Sequence, residues 1–178
     1  MLDRCHNNNL FHWKTESFFA ALDIGGVVDL REKIIESTLE IFTSMVMMDI
    51  IVSEKVNEDN RLLGNTITGV VGLAGTHKGV LAVHIPYAVA FAITGNFLGI
   101  EVNEMNEDVE DAIGEIANML GGNVKSILSE NGRDINLSLP STVSGKEYGF
   151  HTIKGAERIL ILFESESGIF RVELQIES

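Results

Sequence analysis

The sequence predicts an α+β domain: a largely antiparallel sheet packed with two long helices and a shorter one. Three observations predict it. Two stretches, near 30–48 and 106–128, repeat apolar residues at helical spacing. Other stretches rich in β-branched residues are joined by short glycine-bearing turns. The order runs helix, hairpin, helix, helix, then more strands, which differs from the strand–helix–strand alternation of a parallel sheet. Each long helix is followed by strand pairs, which suggests a pseudo-two-fold internal repeat, although sequence identity between the halves is weak.

Residues 1–27 form a compositional zone of their own, in which Asn7, Asn8 and Asn9 precede Leu10, Phe11, Trp13, Phe18 and Phe19. They are read as an N-terminal extension, and 28–178 as a single domain. The first helix is expected from Leu30 to Met48, with Asp29 as N-cap and Glu32 completing a capping box. Ile34, Thr38, Ile41, Phe42 and Met45 form its buried stripe, with Glu36 and Glu40 opposite. A strand near Ile50 to Glu54 and a polar loop through Asn57, Asp59 and Asn60 follow. Thr66–Leu73 and Gly79–Ile85 read as a hairpin turning at Gly75, Thr76, His77 and Lys78. Pro86 suits the first position of a second helix, Tyr87–Leu98, which Gly99 stops. The third helix extends from Asn106 to Leu128, ended by Asn131-Gly132. Strands follow at 135–139, 143–150, 158–164 and 170–176, the last two closed by the 164–168 turn.

At 178 residues the chain fits one domain. With 45% hydrophobic and 22% charged residues it can bury a core, which excludes a disordered chain. The net charge of −13 argues against nucleic acid and anionic membrane as partners, because both need basic surface. The single cysteine, Cys5, rules out an intrachain disulfide and is consistent with a reducing compartment. No apolar run is long enough to span a bilayer. Lys14, Glu16 and Asp23 interrupt any signal-peptide core, so a cytoplasmic location is expected.

The segment from Asp111 to Lys125 carries the chemistry. Wound as a helix, it sends Ile113, Ile116, Leu120, Val124 and Ile127 to one face. Asp111, Glu115, Asn118, Gly122 and Lys125 step by four and three along the other. Gly121 and Gly122 inside a helix each cost about 1 kcal/mol relative to alanine. Their missing side chains permit close approach of another backbone, from the same chain or from a docking protein. By itself an exposed Glu-x-x-Asn is a weak pattern.

Ala-Ile-Gly-Glu-Ile-Ala-Asn at 112–118, Gly122, and Leu-Pro-Ser-Thr-Val-Ser-Gly at 139–145 together resemble the phosphatase family of bacterial chemotaxis that includes CheX, CheC and FliY. The family pattern is an acidic or small residue, three residues, Glu, two residues, Asn, which Asp111, Glu115 and Asn118 match. The resemblance implies a CheC-like fold over 28–178 and hydrolysis of an aspartyl phosphate on a CheY-like receiver domain. In that scheme Asn118 orients the attacking water and Glu115 docks the partner through a receiver lysine. Asp111, Gly121, Gly122 and Lys125 form the partner-binding rim. Magnesium is expected on the receiver, with no metal or cofactor on this chain. A second Glu-x-x-Asn site, found in CheC-type members, would fall at Glu40 to Thr43. Threonine lacks the amide, so one site per chain is expected, as in CheX, whose relatives form homodimers. The alternative is a non-catalytic adaptor of the same fold, binding a receiver domain or a flagellar-switch component.

Other chemistry is thin. His6, His12, His77, His84 and His151 lack zinc-site spacing. Gly69, Gly72, Gly75 and Gly79 are not followed by the Gly-Lys-Ser/Thr of a phosphate-binding loop. Ser141, Thr142 and Ser144 have no nucleophile-elbow context and are read as supporting the motif helix or the sheet.

Overall fold

The computed structural model describes residues 30–54, 62–129, 133–151 and 153–177. The N-terminal zone, the Asp29 cap, the polar loop through Asn57, Asp59 and Asn60, and the Asn131-Gly132 stop lie outside the described residues. In chain order the elements are α1 (Leu30–Ile41), a π-helical turn (Phe42–Val46), β1 (Ile51–Val52), β2 (Leu62–Gly75), β3 (Gly79–Pro86), α2 (Tyr87–Leu98), α3 (Glu107–Leu128), β4 (Ile135–Leu137), β5 (Ser141–Gly149), β6 (Ala156–Ser165) and β7 (Gly168–Glu177).

Every strand pairing is antiparallel, and the sheet runs β1-β6-β7-β3-β2-β4, with β5 also on β2. The architecture is therefore α+β with a large antiparallel sheet, as the hairpin-rich order predicts. The element order does not in itself show an internal repeat. Fourteen residues long, β2 has β3 along one edge and shares the other between β5, opposite 62–70, and β4, opposite 73–75.

Alternation along the strands sends one set of side chains to the helices. Ile67, Val71, Leu81, Val83, Ile85, Ile161, Phe163, Phe170, Val172 and Leu174 are all buried in one core with Ile34, Phe42, Ile93, Ile113, Ile116 and Leu120. Phe170 stacks between Phe42 and Phe163, with ring centroids 4.7 and 5.3 Å away. That stack ties the π turn to β6 and β7.

Several boundaries differ from expectation. The first helix does not continue as a regular helix to Met48: it passes into the π turn after Ile41, and the Met47 amide bonds to the Phe42 carbonyl. The wider turn moves the next inward position from 45 to 46, so Val46 is buried while Met45 is 55% exposed. The strand expected from Ile50 to Glu54 is only Ile51–Val52, and the one expected to reach Leu139 stops at Leu137. Pro86 is the cap of α2 rather than its first helical residue, with ψ at 147°. Gly99 ends that helix at φ 66°, a conformation open to glycine at no steric cost.

Candidate functional site on the third helix

The candidate residues Glu115 and Asn118 lie on α3, and the sequence shows why that helix starts where it does. Asn106 is its N-cap, its side-chain oxygen accepting from the Val109 amide at 3.1 Å. Glu107, Asp108 and Glu110 place negative charge at the positive end of the helix dipole. Val109, Ile113, Ile116, Leu120 and Val124 then enter the core.

Glycines set how deeply α3 sinks onto the sheet. A Cβ built on Gly69 of β2 would lie 2.9 Å from both the Ala117 Cβ and the Ile113 carbonyl oxygen. One built on Gly121 would be 3.1 Å from Val71 Cγ1 and 3.6 Å from Leu137 Cδ1, and one on Gly114 would be 3.8 Å from Thr142 Cγ2. Gly121 is therefore consumed by packing of the helix on its own sheet. This corrects its assignment to the partner-binding rim: the close approach it permits is to Val71. Gly122 differs, because a side chain there would meet nothing within 4 Å.

The remaining rim and motif residues lie together on the outer side. Asp111, Glu115 and Asn118 are exposed, while Gly122 and Lys125 are half-buried. Glu115 and Asn118 are separated by about 4.5 Å along the axis, from a rise of roughly 1.5 Å per residue. Among the described residues nothing engages either side chain. The stripe is convex, so a ligand held on it must bring its own pocket. No three His, Cys, Asp or Glu side chains among the described residues gather as a metal site requires. No helix of the described residues is long and apolar enough to cross a membrane.

One flank of the stripe was not foreseen. Gly114, Asn118, Gly121 and Lys125 step by four, three and four and so form one row. Gly114 meets Thr142 at the start of β5, and Gly121 meets Leu137 at the end of β4. Asn118 lies between these two glycines along the row and is itself exposed. The β4–β5 connection is kinked: Leu137 stands opposite Leu73, the Ser138 amide bonds to the Gly72 carbonyl at 2.9 Å, and Ser141 stands opposite Val70. Leu139 and Pro140 thus share the place opposite Val71. In the sequence, the signal was the Leu-Pro-Ser-Thr run at 139–142, whose Ser141 and Thr142 were read as supporting the motif helix or the sheet.

A second polar cluster lies on the sheet face away from the helices. His84 Nδ1 is 2.8 Å from Thr68 Oγ1, which is 2.6 Å from the Tyr148 hydroxyl, and His84 Nε2 is 3.4 Å from Glu173 Oε2. Arg158 grips both Glu173 oxygens, at 2.8 and 2.9 Å, and Gln175 donates to one of them at 2.6 Å. Burial lowers the pKa of His84 against the pull of Glu173, so the ring is neutral, donating from Nε2 and accepting at Nδ1. Burial raises the pKa of Glu173, but the hydrogen bonds from His84, Arg158 and Gln175 outweigh it and bring it down to about 2. Thr68, His84 and Glu173 are all buried, which leaves this cluster no access to substrate and makes it structural.

Fold and site together define a two-layer α+β protein that offers a carboxylate and a carboxamide, one turn apart, on an outward helix face. The sequence profile of the family described as "Chemotaxis phosphatase CheX" matches residues 67–164, and the chain belongs to that family. The curated CheY-P phosphatase CheX of Thermotoga maritima is 27% identical over 84 residues, which are 47% of this chain and 54% of that protein. The matched region thus spans about half the length of this relative. The crystal structure of chemotaxis protein CheX from Vibrio vulnificus aligns with a TM-score of 0.73 at 27% identity, over 84% of this chain and 100% of that one. The CheX–CheY–beryllium trifluoride–magnesium complex from Borrelia burgdorferi aligns at 0.64 over 85% of this chain and 99% of that one; its 17% identity shows the shared fold.

Proposed function

We propose that the chain is a phosphatase that hydrolyses the aspartyl phosphate of a CheY-like receiver domain, with Asn118 orienting the attacking water and Glu115 docking the partner. The observation that carries this reading is the side-by-side exposure of Glu115 and Asn118 on a rigid helix, in a chain of this family. The relative from Thermotoga maritima bears the name of a CheY-P phosphatase, and the Borrelia burgdorferi protein was solved with CheY.

Hydrolysis breaks the bond between phosphorus and the aspartyl oxygen, and water supplies the new oxygen. The products are a free carboxylate and inorganic phosphate, with the water's proton passing to phosphate or solvent. Phosphoryl transfer of this kind depends on positioning and charge stabilisation more than on covalent help. A carboxamide accepts a hydrogen bond from water through its oxygen and donates through its nitrogen, which fixes the water's lone pair without making it a strong base. Glu115 would be repelled by a phosphoryl group unless it met a cation, so its role is to pair with a lysine of the receiver. The magnesium that neutralises the phosphoryl oxygens belongs to the receiver in this scheme. Asp111, Gly122 and Lys125 border the contact. A homodimer and a cytoplasmic location complete the proposal and rest on the family resemblance.

The test is phosphate release from a phosphorylated receiver. Asn118→Ala is expected to lower turnover by about a hundredfold, the scale of a lost positioning contact. Glu115→Ala is expected to weaken both docking and turnover. Both variants should fold, since exposed substitutions usually cost within ~0.5 kcal/mol. Phosphate decay equal with wild type, with Asn118→Ala and with the receiver alone would leave the protein a non-catalytic adaptor, whereas equal accelerated decay would remove Asn118 from catalysis.

A further inference from the structure

Leu139 is 86% exposed, the highest value among the exposed large hydrophobic side chains of the described residues. An exposed leucine alone is unremarkable, because much of any protein surface is apolar. Its setting is what distinguishes it. It stands in the kink between β4 and β5, across from Val71, the residue on which Gly121 rests. Gly114 and Gly121, on either side of Asn118 in one helix row, meet Thr142 and Leu137, which flank that kink. This exposed leucine therefore stands beside the strand residue that carries Gly121, which is one helical turn from the carboxamide assigned to catalysis.

The kink is also held firmly. Ser138 forms a two-way clasp with Gly72, its amide donating to the Gly72 carbonyl and its hydroxyl oxygen accepting from the Gly72 amide, both at 2.9 Å. The same hydroxyl donates to the Leu139 carbonyl at 2.8 Å. Pro140 follows with its fixed φ. An apolar side chain presented on a pinned backbone loses little conformational freedom when a partner covers it.

A stable protein contact covers about 800 Å² on each partner. A contact of that size takes in roughly 20–30 residues a side, more than the single helix face from Asp111 to Lys125 offers. A receiver seated on Glu115 and Asn118 must spread to one flank or the other, and the Asn118 flank carries Leu139. We propose that Leu139 is the apolar anchor of the receiver-docking surface, covered when a receiver seats on Glu115 and Asn118, and that it sets which receivers the protein accepts. This rests on the phosphatase reading for its choice of partner.

Two measurements test it separately from that reading. The first is binding to an unphosphorylatable stand-in, a receiver domain activated with beryllium fluoride and magnesium. The second is steady-state hydrolysis of the phosphorylated receiver. Leu139→Ser is expected to weaken binding and raise KM by about thirtyfold, the scale of a leucine side chain no longer buried, with kcat unchanged. Leu139→Met should restore both to near wild type. Circular dichroism and melting should match wild type for both variants. Binding that depends on Leu139 without any hydrolysis would remove the phosphatase reading and leave the anchor standing. Hydrolysis with KM unchanged in Leu139→Ser would overturn the anchor and leave the phosphatase standing. Loss of self-association in Leu139→Ser, with receiver binding intact, would also overturn it, because the residue would then face a second copy of the chain.

Discussion

Glu173 is buried in the middle of the sheet, and its three hydrogen-bonded partners decide whether it can remain charged there. Removing one member of a buried, paired set leaves the others uncompensated, which typically costs about 3–5 kcal/mol. Glu173→Ala is therefore expected to lose stability on that scale in urea denaturation, because it leaves Arg158 and His84 facing an empty place. The same cluster sets the acid response. Glu173 has a folded pKa of about 2 against an ordinary 4.5, so its contribution is complete above 4.5 and is lost as pH falls through about 2. His84 has a folded pKa below its ordinary 6.5, so folding favours the neutral ring and its share is eroded as pH drops below 6.5. Stability measured from about pH 7 downward should fall in two stages, the first absent in His84→Gln and the second absent in Glu173→Gln. A single-stage loss shared by both variants would contradict the assignment. The sequence offered no hint of this group, because its members come from β2, β3, β5, β6 and β7 and meet only when the sheet forms. Glu115 and Asn118 were legible because they lie on one helix, where spacing alone fixes the face.

The third helix keeps its height above the sheet through glycines that look interchangeable in sequence and are not. Gly69→Ala would drive a methyl group into Ala117 and the Ile113 carbonyl, and overpacking of this kind costs about 1–3 kcal/mol. It should lower the melting temperature and, by lifting the helix, also reduce turnover. Gly122→Ala meets open space and removes a helix-breaking residue, so it should stabilise by up to about 1 kcal/mol. If Gly122 borders the docked receiver, that variant will be more stable yet bind more weakly; a gain in both would remove Gly122 from the contact. The first helix gives the converse lesson. Glu40 and Thr43 are both exposed, but Phe42 begins the π turn between them, and the three-residue spacing that aligns side chains on an α-helix does not hold there. Thr43→Asn therefore should not create a second active site: combined with Asn118→Ala, it should restore no phosphate release. Periodicity found the start and buried face of α1 but ran the helix on to Met48 and misplaced Met45, because a π turn has no sequence signal of its own. Gly121 was misread for a related reason: a glycine in a heptad-like row does not say which of two neighbours comes close.

Across the molecule, the α+β class and the hairpins were legible because short glycine turns and alternating strands are local features. What joined what was less so. The sharing of one edge of β2 between β4 and β5, and with it the kink at Leu139, arises from pairings between distant stretches that no local pattern encodes. The order β6-β7-β3-β2 carries a further consequence. The strand that comes latest in the chain, β7, is a middle plank of the sheet, hydrogen-bonded to β6 on one side and β3 on the other. During synthesis the earlier hairpin of β2 and β3 must therefore wait with one edge unpaired and the core face of Phe42 uncovered until the segment bearing Phe170 leaves the ribosome. Contacts between such remote stretches slow folding and leave an open edge in the interim. Newly made chains thus pass through a period in which a chaperone, or another copy of the same hairpin, competes for the place that β7 will take.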